Sequence, residues 1–171
     1  MIRAIVIMGV SGCGKTTLGR ELAAALGVPF VEGDTLHPSA NVAKMRAGIP
    51  LSDSDREPFL TRVVDALVAA GPRGAVVSCS ALKRSYRDLI RAGAGAVTFV
   101  WPQLPRAELA ARLARRRDHY MPASLLDSQL AALEPPAPDE HAIVLDGEEH
   151  IDAQVVKVLA ALENQPKGVK L

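Results

Sequence analysis

Net charge is nearly absent from this 171-residue chain: 20 Lys and Arg stand against 19 Asp and Glu, a formal balance of +1. A balance so close to zero argues against a protein that wraps nucleic acid or lies on an anionic membrane surface. Basic residues are dense at one place alone, Arg112, Arg115, Arg116 and Arg117, and with aromatics at 4% no stacking residues or basic stripe extend that cluster into a nucleic-acid face. Cysteine is scarce as well. Cys13 and Cys79 are the 2 present, too few for a disulfide scaffold, and reduced cytoplasmic thiols are expected. Long hydrophobic runs are missing: the apolar start, Ile2 to Met8, is too short to span a membrane. It passes straight into a glycine-rich loop, so a removable leader is not expected. Internal repeats and long low-complexity tracts are absent too. What remains is an ordinary globular composition, 49% hydrophobic and 23% charged, at a length that suits one domain with a sizeable core. The polar, lysine-bearing end from about residue 164 to 171 is expected to fray.

Short apolar runs alternate with helical patterns along the chain. Ala4 to Met8, Val28 to Val31, Ala75 to Cys79, Val97 to Trp101 and Ala142 to Leu145 read as strands buried on both faces. Helices are predicted over Lys15 to Leu26, with Leu18, Leu22 and Leu26 as its apolar stripe, and over Ser39 to Ala47. Further helices are predicted from about Asp55 to Ala70, capped by Ser52 or Asp53, over Lys83 to Arg91, and from Pro105 into the arginine cluster. His119-Tyr120-Met121-Pro122 interrupts the pattern, a short helix follows to about Leu133, and Ile151 to Leu162 forms the last one. Such alternation predicts an α/β fold, a five-stranded parallel sheet flanked by helices, within a single domain over residues 1–171. Ligands in these sheets bind beyond the carboxyl ends of the strands. The glycine loop, Asp34, the Ser80 to Lys83 segment and Asp146 all fall there.

Gly9-Val10-Ser11-Gly12-Cys13-Gly14-Lys15-Thr16 matches G-x-x-x-x-G-K-[ST] between a predicted strand and a predicted helix. Glycines let backbone N–H groups turn inward around phosphate oxygens, and the helix adds its positive end. Lys15 is expected at the β- and γ-phosphates of ATP, with Thr17 beside it, and the Thr16 hydroxyl on Mg²⁺. The motif establishes nucleotide binding rather than a reaction. The chain has no N-K-x-D guanine motif, which disfavours a GTPase. Cys13 is expected as a tolerated small side chain within the loop and Cys79 as a buried apolar one.

An acceptor side follows the second strand. In Gly33-Asp34-Thr35-Leu36-His37-Pro38 an acid and an imidazole stand together. A phosphoryl acceptor needs a partner to orient its hydroxyl and take its proton, a role assigned to Asp34, which could instead, or also, hold Mg²⁺ through water. His37 is a second candidate. Lys44 and Arg46, and Lys83 and Arg87 one helical turn apart, are candidate cations for an acidic acceptor. Arg112 and Arg116 are the expected nucleotide-facing arginines of a mobile lid over about residues 112–135, Arg116 stabilising charge in transfer.

With these residues in view, the sequence resembles the gluconokinases, a branch of the small P-loop kinases related to shikimate and adenylate kinases. The resemblance covers nearly the whole chain. It rests on Met8 to Thr16, Gly33 to Pro38, Asn41 to Met45, Gly48 to Arg56, Cys79 to Asp88, His119-Tyr120-Met121, Ser128-Gln129 and Leu133 to Pro136. It implies a P-loop kinase fold with a helical lid and ATP-dependent phosphorylation of D-gluconate on its 6-hydroxyl. It also implies a cytoplasmic homodimer, and it adds His119 to the acceptor side. Two positions depart from the wider pattern. The third strand ends Val77-Ser78-Cys79-Ser80 with no acid for Mg²⁺, a gap Asp34 is expected to fill. Arg117-Asp118-His119 stands where a glycine is expected before the histidine. Alternatives are a kinase for another hydroxy-acid such as shikimate, and a non-catalytic nucleotide-binding module.

Overall fold

Five short apolar strands lie side by side and parallel in the computed structural model, which describes residues 4–116 and 123–164. Strand β1 (Ala4–Ile7) is central, and Ala4 is in register with Ala75 of β3 (Ala75–Ser78) on one side and Val97 of β4 (Val97–Gln103) on the other. Strands β2 (Phe30–Val31) and β5 (Ile143–Asp146) form the edges, giving the order β2-β3-β1-β4-β5. Alternate residues of β1 serve opposite layers, as strand geometry requires. Ala4 and Val6 join Phe59, Val63, Ile90 and Phe99 under helices α3 (Asp53–Ala69) and α4 (Arg84–Ala94). Ile5 and Ile7 join Leu18, Leu22 and Val158 under α1 (Lys15–Leu26) and α7 (Ile151–Asn164). A third cluster of Val10, Cys13, Leu82, Leu109, Leu113 and Leu126 fastens the glycine loop to α5 (Arg106–Arg115) and α6 (Leu126–Ala132). Helix α2 (Ser39–Arg46) completes the set. No helix among the described residues is long and apolar enough to cross a membrane.

The α/β architecture is as expected, and the boundaries differ for local reasons. Strand β2 begins at Phe30 rather than Val28, because the Val28 N–H goes to Ala23 O and Pro29 has none to give. Helix α3 begins at Asp53 because Ser52 and Asp55 form a capping box, each side chain accepting the other's backbone N–H. Lys83 is not the first residue of α4: it has extended backbone angles, and the N–H of Arg84 is capped by the Glu134 carboxylate at 2.7 Å. Strand β4 runs on to Gln103. The interruption at His119 to Pro122, Arg117 and the tail beyond Asn164 lie outside the described residues.

Candidate active site

The glycine loop joins β1 to α1, and Gly12 and Gly14 adopt φ of 90° and 95°, a region that favours glycine. Its underside is apolar: Val10 and Cys13 are buried, and the Cys13 Sγ points back toward Met8 O. That thiol therefore faces the core, and only the Cys13 backbone is available to a phosphate. Lys15 Nζ donates to Val10 O at 2.9 Å, so the ammonium stays folded over the loop. Thr16 Oγ1 donates to Glu32 Oε2 at 2.6 Å, which leaves the hydroxyl's lone pairs for a cation. Thr17 is exposed.

Glu32 is the residue that sequence reasoning missed. It stands directly after β2, and besides Thr16 it receives the Ser78 hydroxyl at 2.5 Å. Burial works to raise its pKa, but hydrogen bonds from Ser78 and Thr16 and the charge of Lys15 hold it below the usual value. The carboxylate beside the end of β3 is thus supplied by the residue that follows β2, with Ser78 as the link. The carboxylate meeting Thr16 is that of Glu32 rather than Asp34. Gly33 makes this approach possible: its N–H donates to Ser78 Oγ at 2.8 Å, and a side-chain carbon there would lie 1.7 Å from Ser78 O.

One pocket of about 190 Å³ opens over this loop and is lined by Lys15, Thr16, Glu32, Asp34, His37, Asp53, Arg56, Lys83, Tyr86, Arg116 and Gln129, among others. Asp34 is exposed on the short turn after β2. His37 stacks on Phe59 with ring centroids 3.7 Å apart, and its Nδ1 is 3.3 Å from Asn41 Nδ2. Burial and the nearby Arg56 push its pKa down to about 4, so at neutral pH it is an uncharged imidazole. Arg56 is a second residue the sequence did not single out. Its guanidinium lies 5.6 Å from the centre of the Tyr86 ring and has no ion-pair partner among the described residues.

The expected acceptor-side cations separate. Lys83 lines the pocket and donates to Asp53 at 2.9 Å. Lys44 is not at the pocket; both Asp55 oxygens take its ammonium at 2.8 Å, which holds Asp55 down at about 2. Arg46 is exposed on α2 away from the pocket. Arg87 requires a correction. Its side chain is 0% exposed, forks onto Glu140 at 2.6 and 2.8 Å, and donates to the Ala81 and Leu82 carbonyls. It cannot reach an acceptor; it holds the loop that carries Lys83. His119 lies outside the described residues.

On the lid side, Arg116 ends α5 and reaches the pocket. Arg112 instead bonds Glu108 at 2.9 Å and Gly147 O at 3.2 Å, with its Nη1 3.8 Å from where a side-chain carbon on Gly14 would stand. It therefore borders the phosphate loop from outside the pocket. Gln129 of α6 accepts the Ser11 N–H at 2.7 Å, tying the lid-side helix to the loop. Asp146 caps the turn after β5 by accepting the Glu148 N–H and does not line the pocket. Among the described residues no group of three or more His, Cys, Asp or Glu could hold a metal unaided.

The pocket therefore combines phosphate-binding groups with two aspartates, Asp34 and Asp53, a neutral imidazole, His37, and two cations, Arg56 and Lys83. A family model described as an AAA domain matches residues 5–136. A gluconokinase of Gluconobacter oxydans is 52% identical, over 92% of this chain and 89% of its own. The thermosensitive gluconokinase of Escherichia coli is 44% identical, over 95% and 90%. The crystal structure of a gluconokinase from Sinorhizobium meliloti superposes with a TM-score of 0.85 at 45% identity, over 94% of this chain and 91% of that one. With relatives this similar over nearly its whole length, the chain belongs to the gluconokinase family of ATP-using P-loop kinases.

Proposed function

We propose that this protein transfers the γ-phosphoryl group of ATP to the 6-hydroxyl of D-gluconate, giving 6-phosphogluconate. The observation that carries this is the single pocket in which Lys15 and Thr16 face Asp34, Arg56 and Lys83. Little covalent chemistry is asked of the protein in phosphoryl transfer; positioning and charge stabilisation do the work. Lys15 leaves Val10 O for the β- and γ-phosphate oxygens, and Arg116 adds positive charge from the lid side. Asp34 orients the acceptor hydroxyl and takes its proton as the new bond forms. Neutral His37 offers a hydrogen bond without adding charge. Arg56, which has no ion-pair partner among the described residues, grips the substrate carboxylate, since a guanidinium fits a carboxylate in a two-pronged fork. The Thr16 hydroxyl, bonded to Glu32 and sharing the pocket with Asp34, suits Mg²⁺ held partly through water. Bound there, Mg²⁺ would neutralise charge on the transferring phosphate.

We extend the reading to a cytoplasmic homodimer; sedimentation of the purified protein would test the dimer, and cell fractionation the location. The chemistry is tested by ³¹P and ¹³C NMR of the product. Phosphorus coupled to C6 of gluconate is expected; phosphate on another carbon, or inorganic phosphate alone, would overturn the assignment.

A further inference from the structure

Opposite the phosphate loop, the first turn of α3 meets the start of α4. Asp53 there accepts hydrogen bonds from the Tyr86 hydroxyl and from Lys83 Nζ, and all three side chains line the pocket. Those donors hold the Asp53 carboxyl below the usual range, so it is an acceptor at neutral pH. Its side chain remains 70% exposed, with lone pairs to spare. Its negative charge beside Lys83 makes this corner a poor seat for a second carboxylate. It is a good seat for hydroxyl groups, which can donate to Asp53 while accepting from Lys83 or Tyr86. Arg56, on the same face one turn along α3, keeps its guanidinium unpaired among the described residues.

We propose that Asp53, held by Tyr86 and Lys83, is a specificity-determining residue that accepts hydrogen bonds from chain hydroxyls of the acceptor and so selects polyhydroxylated acids over deoxygenated ones. The inference rests on gluconate being the acceptor. A site that bonds a hydroxyl discriminates against an analogue lacking it, because the hydrogen bond made to that hydroxyl is lost. Asp53 thereby divides the labour of the pocket: cation for the carboxylate, anion for the hydroxyls.

The test is steady-state kinetics of wild type and Asp53→Asn with gluconate and with its singly deoxygenated analogues. Loss of a charged hydrogen-bond partner predicts a rise of about 10- to 100-fold in gluconate KM for the variant, against a change of no more than a few-fold in the KM for ATP. At least one deoxy analogue should be equally poor for wild type, and Asp53→Asn should add no further penalty with that analogue. An equal penalty across every acceptor would overturn the proposal, leaving Asp53 as a mere tether between α3 and α4. A fall in gluconate KM would overturn it too, showing that Asp53 competes with the substrate carboxylate. Should Asp53→Asn fail to fold, wild type and Tyr86→Phe across the same analogues decide the matter, because indifference of wild type to every deoxygenation excludes the contact. Absence of gluconate turnover by wild type is a separate result and rejects the proposed function itself.

Discussion

Glu32 shows how much one side chain can settle at a site. It gathers the Thr16 and Ser78 hydroxyls on one carboxylate, and its charge sits where a cation held by Thr16 would feel it. Glu32→Gln keeps the size but removes the charge. It is expected to lower kcat about 10- to 100-fold and to raise the Mg²⁺ concentration for half-maximal rate; an unchanged Mg²⁺ titration would make Glu32 a scaffold residue only. Asp34→Asn should cut kcat about 100-fold or more while the KM for ATP stays within a few-fold. A wild-type rate would remove Asp34 from the chemistry. His37 gives a pH signature. Its pKa falls from an ordinary 6.5 to about 4 in the folded protein because of burial and Arg56. The unfolded chain thus binds the extra proton first, and the stability His37 contributes is complete above about 6.5 and lost as pH drops toward 4. Denaturant midpoints measured at pH 7 and pH 5 should differ more in wild type than in His37→Gln, and equal shifts would contradict this.

At the scale of elements, boundaries decided which residues could be read in advance. Lys83 and Arg87 are spaced one turn apart and share a face only if both lie in the helix; with Lys83 extended at the N-cap of α4, they diverge. Lys83 enters the pocket and Arg87 turns inward to Glu140. Arg56 was hidden for the converse reason. The polar stretch Ser52 to Arg56 reads as a loop and cap, yet the capping box starts α3 at Asp53 and places Asp53 and Arg56 three residues apart on its first turn. Glu32 was hidden because its partners, Thr16 and Ser78, are 16 and 46 residues away, and the side-by-side packing of β2, β3 and β1 brings them together. The buried Arg87–Glu140 pair is the element-level prediction. With Glu140 1% exposed and held down at about 2 by Arg87 first of all, Arg87→Met leaves an unpaired buried carboxylate. Thermal or denaturant unfolding should show a loss of about 3–5 kcal/mol, with gluconate KM moved far less than by Asp53→Asn. A KM effect without lost stability would return Arg87 to the acceptor site.

For the molecule as a whole, the fold was legible because each strand is a short apolar run and each helix has its own punctuation. The phosphate wall was legible because its residues are contiguous, Gly9 to Thr16. The acceptor wall draws on the turn after β2, α3, the β3–α4 connection and α4, and no local pattern assembles those. The central claim is that both walls serve one transfer. It is tested most directly by coupled ADP release with Mg-ATP against gluconate, gluconate epimers, shikimate and no acceptor. Turnover selective for gluconate, with little ADP released in the absence of acceptor, is the expected result. Selective turnover of another acid, or ADP release indifferent to the acceptor, would contradict it.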